Sequence, residues 1–172
     1  MESRFEATAA YVASRGYSFE PWQIATVVTA VRTKPFLILA GISGTGKTRL
    51  PQLVAEATGA GHSIVPVRPD WTDSSDLLGY DQLGGSYQPG SLLRFAKKAQ
   101  SEPERQFFFV LDEMNIARVE YYLAEVLSRM ENRTENSGRF VPPPLAPAPP
   151  VAARDALPWF TLPGHPCLRG SA

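Results

Sequence analysis

The segment "GISGTGKT", residues 41–48, has the residue types and the spacing of a phosphate-binding loop, GxxxxGK followed by Ser or Thr. Glycine has no Cβ atom and adopts positive φ angles, so backbone N–H groups can come close to phosphate oxygens. Lys47 supplies a positive charge for the β and γ phosphates, and the Thr48 hydroxyl can complete the coordination of Mg²⁺. The residues predicted to bind phosphate are Gly41, Ile42, Ser43, Gly44, Thr45, Gly46, Lys47 and Thr48.

Two adjacent carboxylates follow an apolar run later in the chain. The run "FFFVL" covers residues 107–111 and ends directly before Asp112 and Glu113. A strand carrying Asp112 at its carboxyl end can hold a carboxylate that binds Mg²⁺ directly or through water, and Glu113 suits a general base that deprotonates water. An acidic pair that only caps the next helix explains the same residues. The phosphate loop earlier in the chain favours the catalytic interpretation.

The apolar pattern predicts the elements on both sides of the phosphate loop. "FLILA", residues 36–40, predicts a fully buried strand, and "KTRLPQLVAEATG" predicts a helix whose N-terminal end faces the anion. Pro51 lies in the second turn of that predicted helix and lacks a backbone N–H. It therefore predicts a slight kink.

Helices and strands alternate over the rest of the chain. Helical spacing is found over residues 5–15 and 19–33, with Pro21 tolerated in a first turn. "HSIVPVRP" predicts a second strand, "SLLRFAKKAQ" a helix, and residues 107–111 a third strand. In the helix predicted after Asn115, one face carries Val119, Tyr122, Leu123, Val126, Leu127 and Met130. This order predicts an α/β fold with a parallel, doubly wound sheet.

Composition narrows the classes of protein. The 172 residues suffice for one domain, and 17 basic against 17 acidic residues give a net charge of zero, so any DNA contact has to be local. The single Cys167 provides neither a disulfide nor a thiolate metal site. This cysteine usage favours a cytoplasmic location, and we expect neither export nor membrane insertion, because residues 1–16 lack a continuous apolar segment and nowhere do 18 apolar residues run together. More than half of the 16 prolines follow residue 140, which predicts an extended or disordered tail.

Three blocks of the sequence resemble the AAA+ ATPase family, and within it the McrB-like branch, the motor subunits of modification-dependent restriction systems. The blocks are "FLILAGISGTGKTRL", "VPVRPDWTDSSDLLGY" and "VLDEMNIARVEYYLAEVLSRME", and the resemblance covers about residues 17–133. It implies that residues 41–48 are the Walker A motif and that Asp112 and Glu113 are the Walker B motif. Asn115 stands where the branch keeps a polar residue, and it joins the implied nucleotide-binding set.

The resemblance implies a P-loop NTPase fold of three αβα layers with a parallel sheet. It implies ATP or GTP with Mg²⁺ as ligands, and hydrolysis with Glu113 and Lys47 as the catalytic residues. A homo-oligomeric ring, movement of DNA and a partner nuclease are implied by resemblance alone. The family's sensor strand, arginine finger and helical lid have no counterpart after Arg139. We therefore expect an incomplete core that lacks the lid and hydrolyses weakly alone.

The predicted organisation has three parts: N-terminal helices over residues 1–34, a partial nucleotide-binding core over 35–140, and the proline-rich tail over 141–172. Truncation or a frame change near residue 140 would account for the tail. Two alternatives to the motor subunit remain open. One is a truncated protein that binds nucleotide or other subunits and hydrolyses poorly, and the other is a MoxR-type AAA+ chaperone.

The segment "DWTDSSDLLGY", residues 70–80, has two interpretations. Trp71 and Tyr80 could stack on a threaded substrate near a ring pore. Asp70, Asp73 and Asp76 would repel a phosphate backbone, so packing within a hairpin or between subunits is favoured.

Overall fold

The computed structural model describes residues 2–33, 36–131, 134–136 and 139–141. The backbone divides into two compact units. The first comprises the residues up to Ile64 together with Glu104–Val110, and the second comprises Val65–Pro103 together with the described residues from Leu111 onward. The proline-rich tail predicted for residues 141–172 lies outside the described residues, apart from Val141.

Three helices build the first unit: α1 (Glu2–Ser14), α2 (Pro21–Thr33) and α3 (Arg49–Thr58). Pro21 opens α2, a position at which its missing N–H has no partner to lose. The three helices pack on one another because each has an apolar face with helical spacing. The buried residues of this core are Val12, Ile24, Val27, Leu50, Leu53 and Val54.

Two parallel strands, β1 (Gly61–Pro66) and β4 (Phe107–Asp112), pair as a two-stranded sheet. In the first unit the Gly61 amide donates to the Gln106 carbonyl at 2.8 Å. In the second unit the Val67 amide donates to the Asp112 carbonyl at 3.0 Å. With α4 (Ser91–Ser101) in the connection between the two strands, this order confirms the α/β class.

The second unit contains a 3₁₀ turn (Ser74–Asp76) and an antiparallel hairpin of β2 (Gly79–Asp81) and β3 (Tyr87–Pro89). The helix predicted after Asn115 forms two pieces, α5 (Val119–Tyr122) and α6 (Ala124–Glu131). Its predicted apolar face is confirmed, since Tyr122, Leu123 and Val126 are buried. A short hairpin of β5 (Thr134–Asn136) and β6 (Arg139–Val141) follows, and no helix comes after α6 in the described part of the chain.

One local prediction was wrong. Residues 36–40 form no strand, and Phe36, Leu37 and Ile38 are exposed. A buried parallel strand needs hydrogen-bonded neighbours, and none of the strand pairs in the described residues includes this segment. α3 begins at Arg49, which places Pro51 nearer to the N-terminus of the helix than predicted, and the kink at Pro51 stays a prediction.

Candidate functional site

The phosphate loop, residues 41–48, has the backbone that its glycines predicted. Gly44 has a φ of 82° and Gly46 a φ of 80°, both in the left-handed region. The Leu50 amide donates to the Gly46 carbonyl at 2.8 Å, so the first turn leading into α3 already starts within the loop. The loop therefore ends at a helix N-terminus, where backbone N–H groups favour an anion.

Lys47 and Thr45 both donate to the carbonyl of Ile42. The Lys47 Nζ lies 2.6 Å from that oxygen and the Thr45 hydroxyl lies 2.8 Å from it. These two bonds close the loop across its own backbone. An ammonium group carries three donors, so one bond to Ile42 leaves Lys47 with capacity for phosphate oxygens.

Aromatic residues before the loop pack against it, which the sequence reasoning missed. A Cβ atom added to Gly46 would lie 2.7 Å from Cζ of Phe19. The rings of Phe19 and Tyr17 are stacked with centroids 6.3 Å apart, and the Arg49 guanidinium lies 5.3 Å from the Tyr17 ring. The available signal was the pair of aromatic residues in the short connection between α1 and α2.

The second motif forms a turn that we call the acidic turn, residues 112–116. Asp112 ends β4, and its carbonyl accepts the Val67 amide. Glu113 is exposed and has a φ of 53°, the sole positive φ of a non-glycine residue in the described part of the chain. The Ile116 amide donates to the Glu113 carbonyl at 3.0 Å and closes the turn, which also carries the exposed Asn115.

Two buried aromatic residues, Tyr122 and Trp71, support the acidic turn. The Tyr122 hydroxyl donates to the Met114 carbonyl at 2.8 Å, and burial raises the pKa of Tyr122 above its usual value of 10.0. The Trp71 ring meets Tyr122 edge to face, with centroids 5.3 Å apart. Trp71 is only 4% exposed, which supports the favoured interpretation of packing over stacking on a threaded substrate, whereas Tyr80 is 54% exposed.

The residues predicted for the site thus fall into two groups. Gly41, Ile42, Ser43, Gly44, Thr45, Gly46, Lys47 and Thr48 belong to the first unit, and Asp112, Glu113 and Asn115 belong to the second. No cluster of three or more His, Cys, Asp or Glu side chains that could hold a metal occurs among the described residues. Magnesium at a nucleotide site needs no such cluster, because one or two protein ligands, phosphate oxygens and water complete its shell.

A phosphate loop at the start of a helix, in an α/β chain with an acidic pair after a parallel strand, defines a P-loop nucleotide-binding protein. Residues 36–147 match the family described as "AAA domain (dynein-related subfamily)", and they make up more than half of the chain. The chain therefore belongs to the AAA family and carries an AAA-type ATPase domain.

One curated relative from Escherichia coli (strain K12) is the "Type IV methyl-directed restriction enzyme EcoKMcrB subunit". This chain is 25% identical to it over 126 residues, which is 69% of this chain and 28% of the relative. The chain thus spans less than a third of the relative's length. No helix in the described residues is long and apolar enough to cross a membrane.

Proposed function

We propose that this chain binds and hydrolyses a nucleoside triphosphate, ATP or GTP, with Mg²⁺. The observation that carries the proposal is the conformation of the phosphate loop. Left-handed Gly44 and Gly46 precede a helix N-terminus, and Lys47 lies across the loop. Such a backbone presents several N–H groups and one compact positive charge to an anion with several oxygens.

Roles for the other predicted residues follow from their chemistry. The Thr48 hydroxyl and the Asp112 carboxylate would hold Mg²⁺, which neutralises negative charge on the phosphates when it is bound. Glu113 would accept the proton of the attacking water, and Asn115 would contact the nucleotide. Glu113 is exposed and has a strained backbone, a combination that is typical of functional sites.

A more specific proposal concerns the substrate that the protein moves and the proteins with which it assembles. The resemblance to the named restriction subunit supports a motor that assembles as a homo-oligomeric ring, moves DNA and works with a nuclease. The exposed Tyr80 on the β2–β3 hairpin is the aromatic residue of residues 70–80 that could still stack on a threaded strand. A net charge of zero means that such DNA contact depends on a local surface.

Removal of the Lys47 ammonium tests the nucleotide site directly. A charge-assisted contact to phosphate contributes roughly 1.5 to 3 kcal/mol, so Lys47→Ala should weaken nucleotide binding about tenfold to a hundredfold. Titration of fluorescent ATP and GTP analogues measures the dissociation constants. Lys97→Ala is the control, because Lys97 is an exposed residue of α4 in the second unit. Equal affinities of the Lys47→Ala and Lys97→Ala variants would reject the proposal.

A further inference from the structure

Glu113 lies in a turn whose backbone carbonyls are fixed by hydrogen bonds, and its own carbonyl accepts the Ile116 amide at 3.0 Å. On one side the Asp112 carbonyl accepts the Val67 amide at 3.0 Å. On the other side the Met114 carbonyl accepts the Tyr122 hydroxyl at 2.8 Å. A left-handed residue with a Cβ atom is strained and persists only where its surroundings determine the backbone. The hydrogen bonds to the Asp112, Glu113 and Met114 carbonyls provide that determination.

The Tyr122 anchor is itself rigid. Tyr122 is 0% exposed, and Trp71 packs edge to face against its ring with an interplanar angle of 71°. Buried rings in close packing keep one rotamer, so the hydroxyl stays at a fixed distance from the Met114 carbonyl. Tyr122 belongs to α5 and therefore connects the turn to a helix of the same unit.

From this geometry we infer that Tyr122 is a positioning residue, which holds Glu113 in the left-handed conformation through the Met114 carbonyl. The inference rests on the proposed function for its catalytic meaning, since the conformation of Glu113 sets the direction of its Cα–Cβ bond at the end of β4. Without the hydroxyl, the turn can relax to a negative φ and move the carboxylate. Tyr122 should affect Glu113 only, and the nucleotide contacts made by the phosphate loop should not depend on it.

A double-mutant experiment on thermal stability tests whether Tyr122 holds Glu113 at a positive φ, and it does not require hydrolysis. At a negative φ, Ala is more stable than Gly, whereas at a positive φ Gly is more stable than Ala. With Tyr122 intact, Glu113→Gly should therefore unfold about 2 to 5 °C above Glu113→Ala. In the Tyr122→Phe background this advantage of Gly should vanish or reverse.

Tyr87→Phe provides the matched control. The Tyr87 hydroxyl also donates to a backbone carbonyl, that of Leu78 at 2.9 Å, and it belongs to the same unit. Loss of this bond should lower the melting temperature and leave the advantage of Gly over Ala unchanged. An unchanged advantage in the Tyr122→Phe background, or no advantage in the parent, would overturn the inference.

Turnover gives the second readout. Tyr122→Phe should lower hydrolysis about tenfold at an unchanged dissociation constant for nucleotide, whereas Tyr87→Phe should change neither. An equal loss of binding and turnover would contradict a positioning role. The two proposals fail separately: if Glu113→Gln hydrolyses like the parent, the role of Glu113 as base is wrong, while the stability experiment still decides whether Tyr122 holds the turn.

Discussion

The phosphate loop and the acidic turn both require left-handed backbone, and they obtain it in different ways. In the loop, Gly44 and Gly46 have φ angles of 82° and 80°, which glycine adopts without a steric penalty. In the turn, Glu113 has a φ of 53° and keeps its side chain. Glycine therefore gives the loop its backbone without strain. In the turn the strain of Glu113 is accompanied by hydrogen bonds that fix the neighbouring carbonyls.

Removal of the carboxylate charges should produce the largest effects. If Glu113 is the general base, Glu113→Gln should lower hydrolysis by about 10² to 10⁴ and leave nucleotide affinity nearly unchanged. Asp112→Asn should impair Mg²⁺-dependent binding as well as turnover, because the metal helps to hold the β and γ phosphates in both states.

Single-turnover assays with radiolabelled nucleotide and parallel binding titrations separate the two variants. If Glu113→Gln hydrolysed as fast as the parent, the role of Glu113 as general base would be rejected. Glu113 would then have no catalytic role, and its strained backbone would have no chemical purpose.

The loop offers a smaller and more local test, because Gly44 and Gly46 share one backbone conformation and differ in their surroundings. A Cβ at Gly46 would meet the Phe19 ring at 2.7 Å, whereas a Cβ at Gly44 would meet nothing within 4 Å. Both alanine variants incur the left-handed penalty of roughly 1 to 2 kcal/mol, and only Gly46→Ala adds a clash, which costs about another 1 to 3 kcal/mol.

Urea unfolding and nucleotide titration measure this difference. Gly46→Ala should unfold at lower urea concentration than Gly44→Ala and bind nucleotide about tenfold more weakly than Gly44→Ala. Phe19→Leu in the Gly46→Ala background should restore part of the loss. Equal stabilities of the two alanine variants would show that Phe19 does not brace the loop.

The sequence predicted the local features that have short-range causes. Glycine, lysine and threonine at fixed spacing identified the phosphate loop, and apolar periodicity identified α3, α4, β1 and β4. The buried strand at residues 36–40 was wrong, because an apolar run forms a strand only when other strands pair with it. Pairing of this kind depends on distant residues.

The support of the acidic turn could not be predicted for a similar reason. Tyr122 was correctly placed on the apolar face of its helix, but no apolar pattern indicates the hydrogen bond of its hydroxyl to the Met114 carbonyl. Trp71 lies in a segment rich in Asp and Ser, for which packing was favoured over contact with a threaded substrate. Its burial against Tyr122 follows from tertiary packing that no local pattern records.

A carboxylate that is paired rather than strained gives the smallest expected effect and sharpens the contrast with Glu113. Glu125 accepts a hydrogen bond from the Ser74 hydroxyl at 2.6 Å and pairs with Arg129, so Ser74 first and Arg129 second lower the pKa of Glu125 below its usual 4.5. A carboxyl whose folded pKa is depressed stabilises the fold above its unfolded pKa, and this stabilisation is lost as the pH falls through the folded pKa. The melting temperature of Glu125→Gln should therefore lie below that of the parent at pH 7, and the two should converge as the pH falls through the depressed folded pKa. The difference should be small, because the Glu125 side chain is 44% exposed and solvent screens its charge.

Paired thermal melts from pH 3 to pH 7 measure the difference in melting temperature between Glu125→Gln and the parent. A difference that stays constant over this range would show that the charge of Glu125 does not stabilise the second unit.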